Sequence, residues 1–256
     1  MKFASLGSGS EGNALLISGG SGATRTTVML DCGFGLREVE RRLARLQISA
    51  TDLAAIVVTH EHQDHVGGVF KFARKHRIPA WMSYGTFQAV QAFAEGVNVR
   101  FCHDGEHIAI GDLEFLPYTV PHDAREPLQY AVGDGARRLG ILTDVGQATP
   151  HLIDALGGCD ALVLECNHDR QMLAESTYPP SLKRRIGGPF GHLSNHTSAE
   201  ILAAIDKRQL TAVVGAHLSK QNNTPALAQA ALSRVLDAGV ALHMACQEKG
   251  FAWLEM

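Results

Sequence analysis

The stretch Thr59-His60-Glu61-His62-Gln63-Asp64-His65 follows directly on the apolar run Ala54–Val58. It reads as HxHxDH at the end of a strand. Three histidines and an aspartate at these fixed places would arise by chance about 0.002 times in a chain of this composition. Imidazoles so close repel one another once protonated, and a solvated loop offers no structural reason to collect them. Metal binding supplies one. In an extended chain His60 and His62, two apart, turn to the same side and face one ion, while Asp64 and His65 turn toward a second. Two divalent metal ions are therefore expected. Nitrogen and carboxylate donors without thiolate suit zinc, manganese or iron, and the affinity order of the divalent metals does not choose among them.

Outward from this motif, short apolar runs rich in β-branched residues alternate with segments whose apolar residues recur at helical spacing. Strands are predicted over 2–6, 13–18, 26–31, 54–59, 80–83, 98–103, 107–120, 129–134, 138–143, 161–165, 212–216 and 240–244. Helices are predicted over 36–47, 68–76, 86–95, 149–155, 198–206 and 225–238. No Pro-rich or Ser-rich linker divides the chain, so residues 1–256 are read as one domain. Strands outnumber helices and both halves supply several. That predicts an α/β fold of two packed sheets with helices outside, in four layers, αββα.

The 256 residues are 45% hydrophobic and 19% charged, which excludes a disordered or collagen-like chain. No apolar run approaches the roughly 18 residues of a membrane span, so no membrane association is expected. The first twenty residues hold one Lys and a Ser/Gly-rich turn instead of a continuous apolar stretch. They do not read as a secretory signal, and a cytoplasmic protein is expected. Five scattered cysteines, Cys32, Cys102, Cys159, Cys166 and Cys246, contain no CxxC pair and are read as reduced packing residues. A net charge of −3 and a pI near 6.5 supply no global field toward nucleic acid, so a polyanion must be gripped locally. Basic clusters stand at Lys71, Arg74, Lys75 and Arg77 and at Lys183, Arg184 and Arg185, each a phosphate contact or simply a solvated face. Aromatic residues are 6% of the chain, little stacking surface for single strands, which favours a short substrate.

HxHxDH resembles the motif of the metallo-β-lactamase fold superfamily, whose members share an αββα sandwich of two mixed β-sheets and a metal site drawn from several sequence regions. Carried onto this chain, the resemblance implies further ligands. His122, in Thr119-Val120-Pro121-His122-Asp123, is preferred over His103 and His107. Asp144, in Thr143-Asp144-Val145-Gly146, would touch both ions. His217, in Gly215-Ala216-His217-Leu218-Ser219, would complete the set. One ion would then be held by His60, His62, His122 and Asp144, the other by Asp64, His65, Asp144 and His217. Asp31, in Leu30-Asp31-Cys32-Gly33, would orient a ligand without touching metal, or is a turn residue before Gly33. Two divalent ions, less Asp64, Asp144 and a bridging hydroxide, leave about +1, which favours an anionic phosphate.

Gly191-His192-Leu193-Ser194-Asn195 is the most discriminating string. It resembles the histidine motif of the phosphodiesterase branches, among them ribonuclease Z and PhnP-type enzymes. The resemblance implies a bridging hydroxide as nucleophile and His192 as general acid, with Asp64 indispensable and Glu165 raising the pKa of His192. Otherwise His192 is a polar residue at a helix start. Lys183, Arg184, Arg185 and Asn195 are taken as substrate contacts, and Asn167 and His168 belong either to the site or to a surface loop. The likeness is fullest to the YycJ/WalJ-like branch, carried by Ser5-Leu6-Gly7-Ser8-Gly9-Ser10-Glu11-Gly12-Asn13, by Leu164-Glu165-Cys166-Asn167-His168-Asp169, by the His192 string and by Ala216-His217-Leu218-Ser219-Lys220-Gln221-Asn222-Asn223. The Ser/Gly/Asn turn either borders the site or is a plain hairpin.

That branch is linked to 5′-to-3′ exonuclease activity on DNA. The implied function is a dinuclear metal-dependent phosphodiester hydrolase, a nuclease whose substrate is DNA or a short oligonucleotide. A small-molecule or cyclic-nucleotide phosphodiesterase is the near alternative. A glyoxalase-II-like thioesterase shares the ligands but continues into a helical C-terminal domain, whereas 39 residues follow His217 here, enough for one helix and one strand. A metal-binding module without turnover predicts missing ligands, and none is missing. Nothing in the sequence specifies an oligomeric state, and a homodimer is compatible with it.

Overall fold

The computed structural model describes residues 1–20 and 24–256. The chain opens with an antiparallel meander of β1 (Lys2–Gly7), β2 (Ala14–Gly19) and β3 (Thr26–Leu30). It crosses through α1 (Leu36–Arg45) to β4 (Leu53–Val57), parallel to β3. Then come α2 (Gln63–Val66), α3 (Val69–His76), β5 (Ala80–Met82), α4 (Tyr84–Val90) and β6 (Val99–Phe101). The second half supplies β7 (Ile108–Ile110), β8 (Leu113–Thr119), β9 (Leu128–Gly133), β10 (Arg138–Leu142), α5 (Pro150–Leu156) and β11 (Ala161–Glu165). It continues with α6 (Arg170–Glu175), α7 (Pro180–Ile186), α8 (Asn195–Ala204), β12 (Ala212–Ala216), α9 (Pro225–Ser233), β13 (Ala241–Met244) and β14 (Phe251–Glu255).

Two seven-stranded mixed sheets result, ordered β14-β1-β2-β3-β4-β5-β6 and β13-β12-β11-β10-β9-β8-β7. Their central strands are apolar on both faces because each face meets a different core. In β2, Leu15 and Ile17 point between the sheets while Ala14 and Leu16 point toward α1 and α3. In β11, Ala161 and Val163 join the same inter-sheet core, and Leu162 and Leu164 face α5, α8 and α9. Side chains alternate along a strand, so a continuous apolar run is what a strand covered on both sides requires. Three apolar layers thus separate four layers of secondary structure, the αββα sandwich expected from the sequence. Cys32, Cys102, Cys159 and Cys166 are buried in these layers as packing residues.

The predicted strand over 107–120 is two strands, β7 and β8. They are broken at Gly111, whose φ is +59 and where a Cβ would lie 2.1 Å from Thr26 Oγ1. The sequence reading does not predict α2 and α6, whose four and six residues are too few for a 3.6-residue period to repeat, or α7, which buries no residue and so has no apolar face. The tail after His217 holds one helix and two strands, not one of each. The unpredicted β14 returns to the first sheet and pairs antiparallel with β1, Trp253 facing the helix side while Phe251 and Leu254 face the inter-sheet core. Among the described residues no helix is long and apolar enough to cross a membrane.

Candidate metal centre

Parallel register brings the chemistry to one edge. Leu30 pairs with Val57, so Asp31 and His60 leave the first sheet together. In the second sheet Leu142 pairs with Leu164 and Glu165 with Ala216, so Asp144, Glu165 and His217 emerge side by side. Asp31, Asp144 and His217 hold φ values of 60, 54 and 54. A non-glycine residue in that left-handed region costs on the order of 1–3 kcal/mol, and here each such turn aims a polar side chain at one point.

The loop 59–65 is clasped by its neighbours. The backbone N–H groups of Asn13 and Cys32 donate to the carbonyls of Asp64 and His65, both at 2.8 Å. Gly33 permits the approach, since a Cβ there would fall 1.8 Å from the Asp64 carbonyl oxygen. The N-terminal turn borders the site as well. The Asn13 amide donates to Asp64 Oδ2 at 3.2 Å, and Ser8 Oγ accepts the His217 backbone N–H at 2.9 Å.

Outer hydrogen bonds assign each ring its tautomer. Thr59 donates its backbone N–H (2.8 Å) and hydroxyl (3.0 Å) to the Asp31 carboxylate, so Thr59 Oγ1 accepts from His60 Nδ1 at 3.0 Å. His65 Nδ1 donates to Asp31 Oδ2 at 2.8 Å. His122 Nδ1 donates to the Gly191 carbonyl (3.0 Å) and His62 Nε2 to the Asp123 carbonyl (3.2 Å). His217 Nδ1 donates to Glu165 Oε1 at 3.1 Å. Several inward nitrogens then face one another or a carboxylate, while His65 Nε2 is also met by the Asn13 amide at 3.0 Å. His122 Nε2 lies 3.3 Å from His62 Nδ1, and His65 Nε2 and Asp144 Oδ2 approach to 2.9 Å. His217 Nε2 stands 3.5 Å from Asp64 Oδ2. The buried His60 Nε2, His217 Nε2 and Asp144 Oδ2 have no hydrogen-bond partner; the contact from His65 Nε2 to Asp144 Oδ2 is close but off the direction of a hydrogen bond.

Charge tells the same story. Asp31, Asp144 and Glu165 are buried and Asp64 nearly so, and no Lys or Arg among the described residues pairs with any of them. Burial alone would lower the pKa of His65, yet Asp144, Asp31 and Asp64 hold it well above the usual value. His217, also opposed by burial, is raised to about 10 by Asp144, Asp64 and Glu165. His60 goes the other way, kept well below its ordinary value by burial and by His65, so its lone pair is free. Four carboxylates that draw positive charge onto His65 and His217 fit a site for cations, with divalent metal taking the place of those protons.

Two constellations meet this demand. His60, His62 and His122 form one, and Asp64, His65 and His217 the other, with Asp144 beside His65 and His60. The imidazole-and-carboxylate donor set suits divalent metal.

Next to them His192 Nδ1 donates to Glu165 Oε1 at 2.9 Å, while Glu165 Oε2 accepts the backbone N–H groups of Val145 and Leu193. Glu165 therefore serves His217 as well as His192, a sharing the sequence did not suggest. Against burial, Glu165 and Asp144 raise the pKa of His192. Lys183 and Arg184 line a cleft with His192, but Arg185 is turned to Asp123, 2.6 Å away. Asn195, expected at the substrate, is buried with its amide paired to Asn223. His103 and His107 lie on the surface near Glu126 and Glu114. In α3 Arg74 donates to the backbone carbonyls of Phe93 and Glu95, and Lys75 pairs with the Glu40 carboxylate. Thr59, Asn13 and Gly191 were given no individual role from the sequence, although each lies in a string singled out there, and their contacts come from the fold.

Residues 26–217 match the beta-lactamase superfamily domain. The chain is 32% identical over 254 residues to an exodeoxyribonuclease YycJ of Bacillus anthracis, covering 98% of this chain and 91% of that protein. It is 29% identical to an exodeoxyribonuclease WalJ of Streptococcus pneumoniae, over 89% and 85% of the two chains. Among solved structures, the metallo-beta-lactamase fold protein YhfI of Bacillus subtilis superposes with a TM-score of 0.74 at 15% identity, over 99% of each chain.

Proposed function

The chain belongs to the beta-lactamase superfamily, and from that membership and the arrangement of its ligands we propose that it is a metal-dependent hydrolase cutting phosphodiester bonds in DNA from a strand end. His60, His62, His122 and Asp144 would hold one divalent ion, zinc or manganese, and Asp64, His65, Asp144 and His217 a second. Ions bound there supply ionised water near neutral pH and positive charge for phosphoryl oxygens.

The remaining chemistry falls to the chain's own residues. Hydrolysis adds water across a P–O ester bond and gives a phosphomonoester and an alcohol. The leaving oxygen needs a proton, and His192 supplies it. Glu165 fixes the Nδ1 side of the ring and favours the imidazolium, which leaves Nε2–H as the free donor edge. Asp31 and Thr59 orient His65 and His60, and the Gly191 carbonyl orients His122, so the segment that carries the acid also steers a ligand.

The observation that carries the reading is the set of inward-facing acceptors on seven ligand-type side chains with a carboxylate-held histidine beside them. The choice of DNA rests on the two relatives matched along most of the chain, both exodeoxyribonucleases. The test is hydrolysis of bis(p-nitrophenyl) phosphate and of linear DNA by protein loaded with Mn²⁺ or Zn²⁺, with D64A inactive on both. Faster cleavage of a glutathione thioester than of either phosphodiester would overturn the proposal.

A further inference from the structure

Beside the metal centre a cleft of about 380 Å³ opens between Gly146, the start of α6, the end of α7 and the start of α8. Three cationic side chains line it, Arg170, Lys183 and Arg184, and no Asp or Glu does. In a chain of net charge −3 that is a local reversal of sign. Arg170 is held in place by neutral partners, its Nε donating to Ser194 Oγ and its Nη2 to Thr197 Oγ1, each at 3.1 Å. Lys183 Nζ donates to the Ala174 carbonyl at 2.6 Å, which anchors the ammonium without neutralising it. Arg185, one residue on, is paired with Asp123; the three cleft cations have no carboxylate partner among the described residues. His168 stands in the same wall, 3% exposed, with Nδ1 lacking any hydrogen-bond partner.

The buried His168 ring is costly without a partner, and three exposed or half-buried cations with no carboxylate beside them give the cleft a positive field. A phosphodiester brings one negative charge, whereas a phosphomonoester carries about −1.5 to −2 at neutral pH and offers three acceptor oxygens. The guanidinium fork matches that geometry. His192 belongs to both the cleft and the metal centre, so a phosphate here neighbours the bond being cut.

We infer that this cleft is a subsite for a phosphomonoester, the terminal phosphate of a nucleic acid strand, gripped by Arg170, Lys183 and Arg184 with His168 in its wall. The inference rests on the hydrolase reading above and adds to it how a strand end is recognised. A strand anchored by its terminal phosphate loses its last nucleotide and presents the next.

The test compares short single strands of one sequence carrying a 5′-phosphate, a 3′-phosphate or hydroxyls at both ends, as substrates of the metal-loaded protein. Bis(p-nitrophenyl) phosphate, which has no terminal phosphate, reports on the centre itself in the wild type. One phosphorylated end is expected to raise kcat/KM about tenfold or more over the hydroxyl-ended strand, mainly through KM, as charge-assisted hydrogen bonds predict. R170A and R184A should each remove most of that preference. Arg184 is exposed, so R184A tests the point even should R170A disturb folding. Equal kcat/KM for all three strands, or variants that slow all three alike, would overturn the subsite and leave the hydrolase standing. Failure to cleave bis(p-nitrophenyl) phosphate and every strand would take down both.

Discussion

Four of the seven ligand-type side chains lie within the six residues from His60 to His65, on one loop after β4. The second sheet contributes differently, with Asp144, Glu165 and His217 each following or ending a separate strand and His122 and His192 on loops of their own. The first arrangement is held by a backbone clasp, from Asn13 and Cys32 to the loop carbonyls. The second is held by the parallel register of β10, β11 and β12. A local cluster needs only its own loop to be intact, while the dispersed set exists only when three strands are aligned. Asp144 stands where the two meet, within 4.0 Å of His65 from the first sheet and of His122, His192 and His217 from the second.

The sharpest way to break this comparison is at that joint. D144N should lose metal from both halves, with affinity falling more than about 100-fold, beyond the range found for residues that only orient a ligand. Elemental analysis after gel filtration would show under one equivalent bound, and hydrolysis of bis(p-nitrophenyl) phosphate would fall to background. A variant that keeps two equivalents would show that the halves bind independently.

H192A should separate chemistry from binding. Turnover is expected to fall about 100-fold or more, the usual range for losing a general acid, while metal content stays at the wild-type value. Loss of metal instead would place His192 among the ligands of the second sheet. D31N acts on the first sheet only, because Asp31 holds the loop side through His65 and Thr59. Metal affinity should drop about 10- to 100-fold, read by chelator competition, and most at the ion that His65 would hold.

The smallest effect lies in the first sheet's helical cover, away from every ligand. Hydrogen bonds from Arg41 and Arg42 lower the pKa of Glu38 to about 2, and Arg42 reaches on to the Leu6 and Gln247 carbonyls. A carboxylate depressed in the folded state contributes stability above its unfolded pKa, and that contribution is lost as pH falls through the folded value. E38Q should therefore lower stability at pH 7 by no more than about 1 kcal/mol, given the exposure of the pair. The difference from wild type should close between about pH 4.5 and pH 2 in urea titrations, with activity unchanged.

These contrasts explain what was legible in the residues alone. The HxHxDH loop was, because metal binding is the only economical reason to crowd imidazoles on a turn. The strand pattern was legible too, since strands covered on both faces read as unbroken apolar runs such as Ala161–Leu164. His122, Asp144 and His217 are single residues whose neighbours in space lie far away in sequence, and a family resemblance was needed to select them. Asn195 shows how adjacency misleads: three positions from His192, it turns into the core to pair with Asn223. Arg170 shows the reverse, an undistinguished cation in sequence that Ser194 and Thr197 hold in the cleft.

Composition and periodicity determined that this chain builds two sheets within helical layers, because each apolar residue's alternation is a local property of the backbone. Only the tertiary structure decided which nitrogen of each histidine faces inward, that Glu165 serves two rings, and that three cations share a cleft without a carboxylate. Tautomer, charge balance and convergence depend on partners brought together by strand register, and no stretch of sequence contains both members of such a pair.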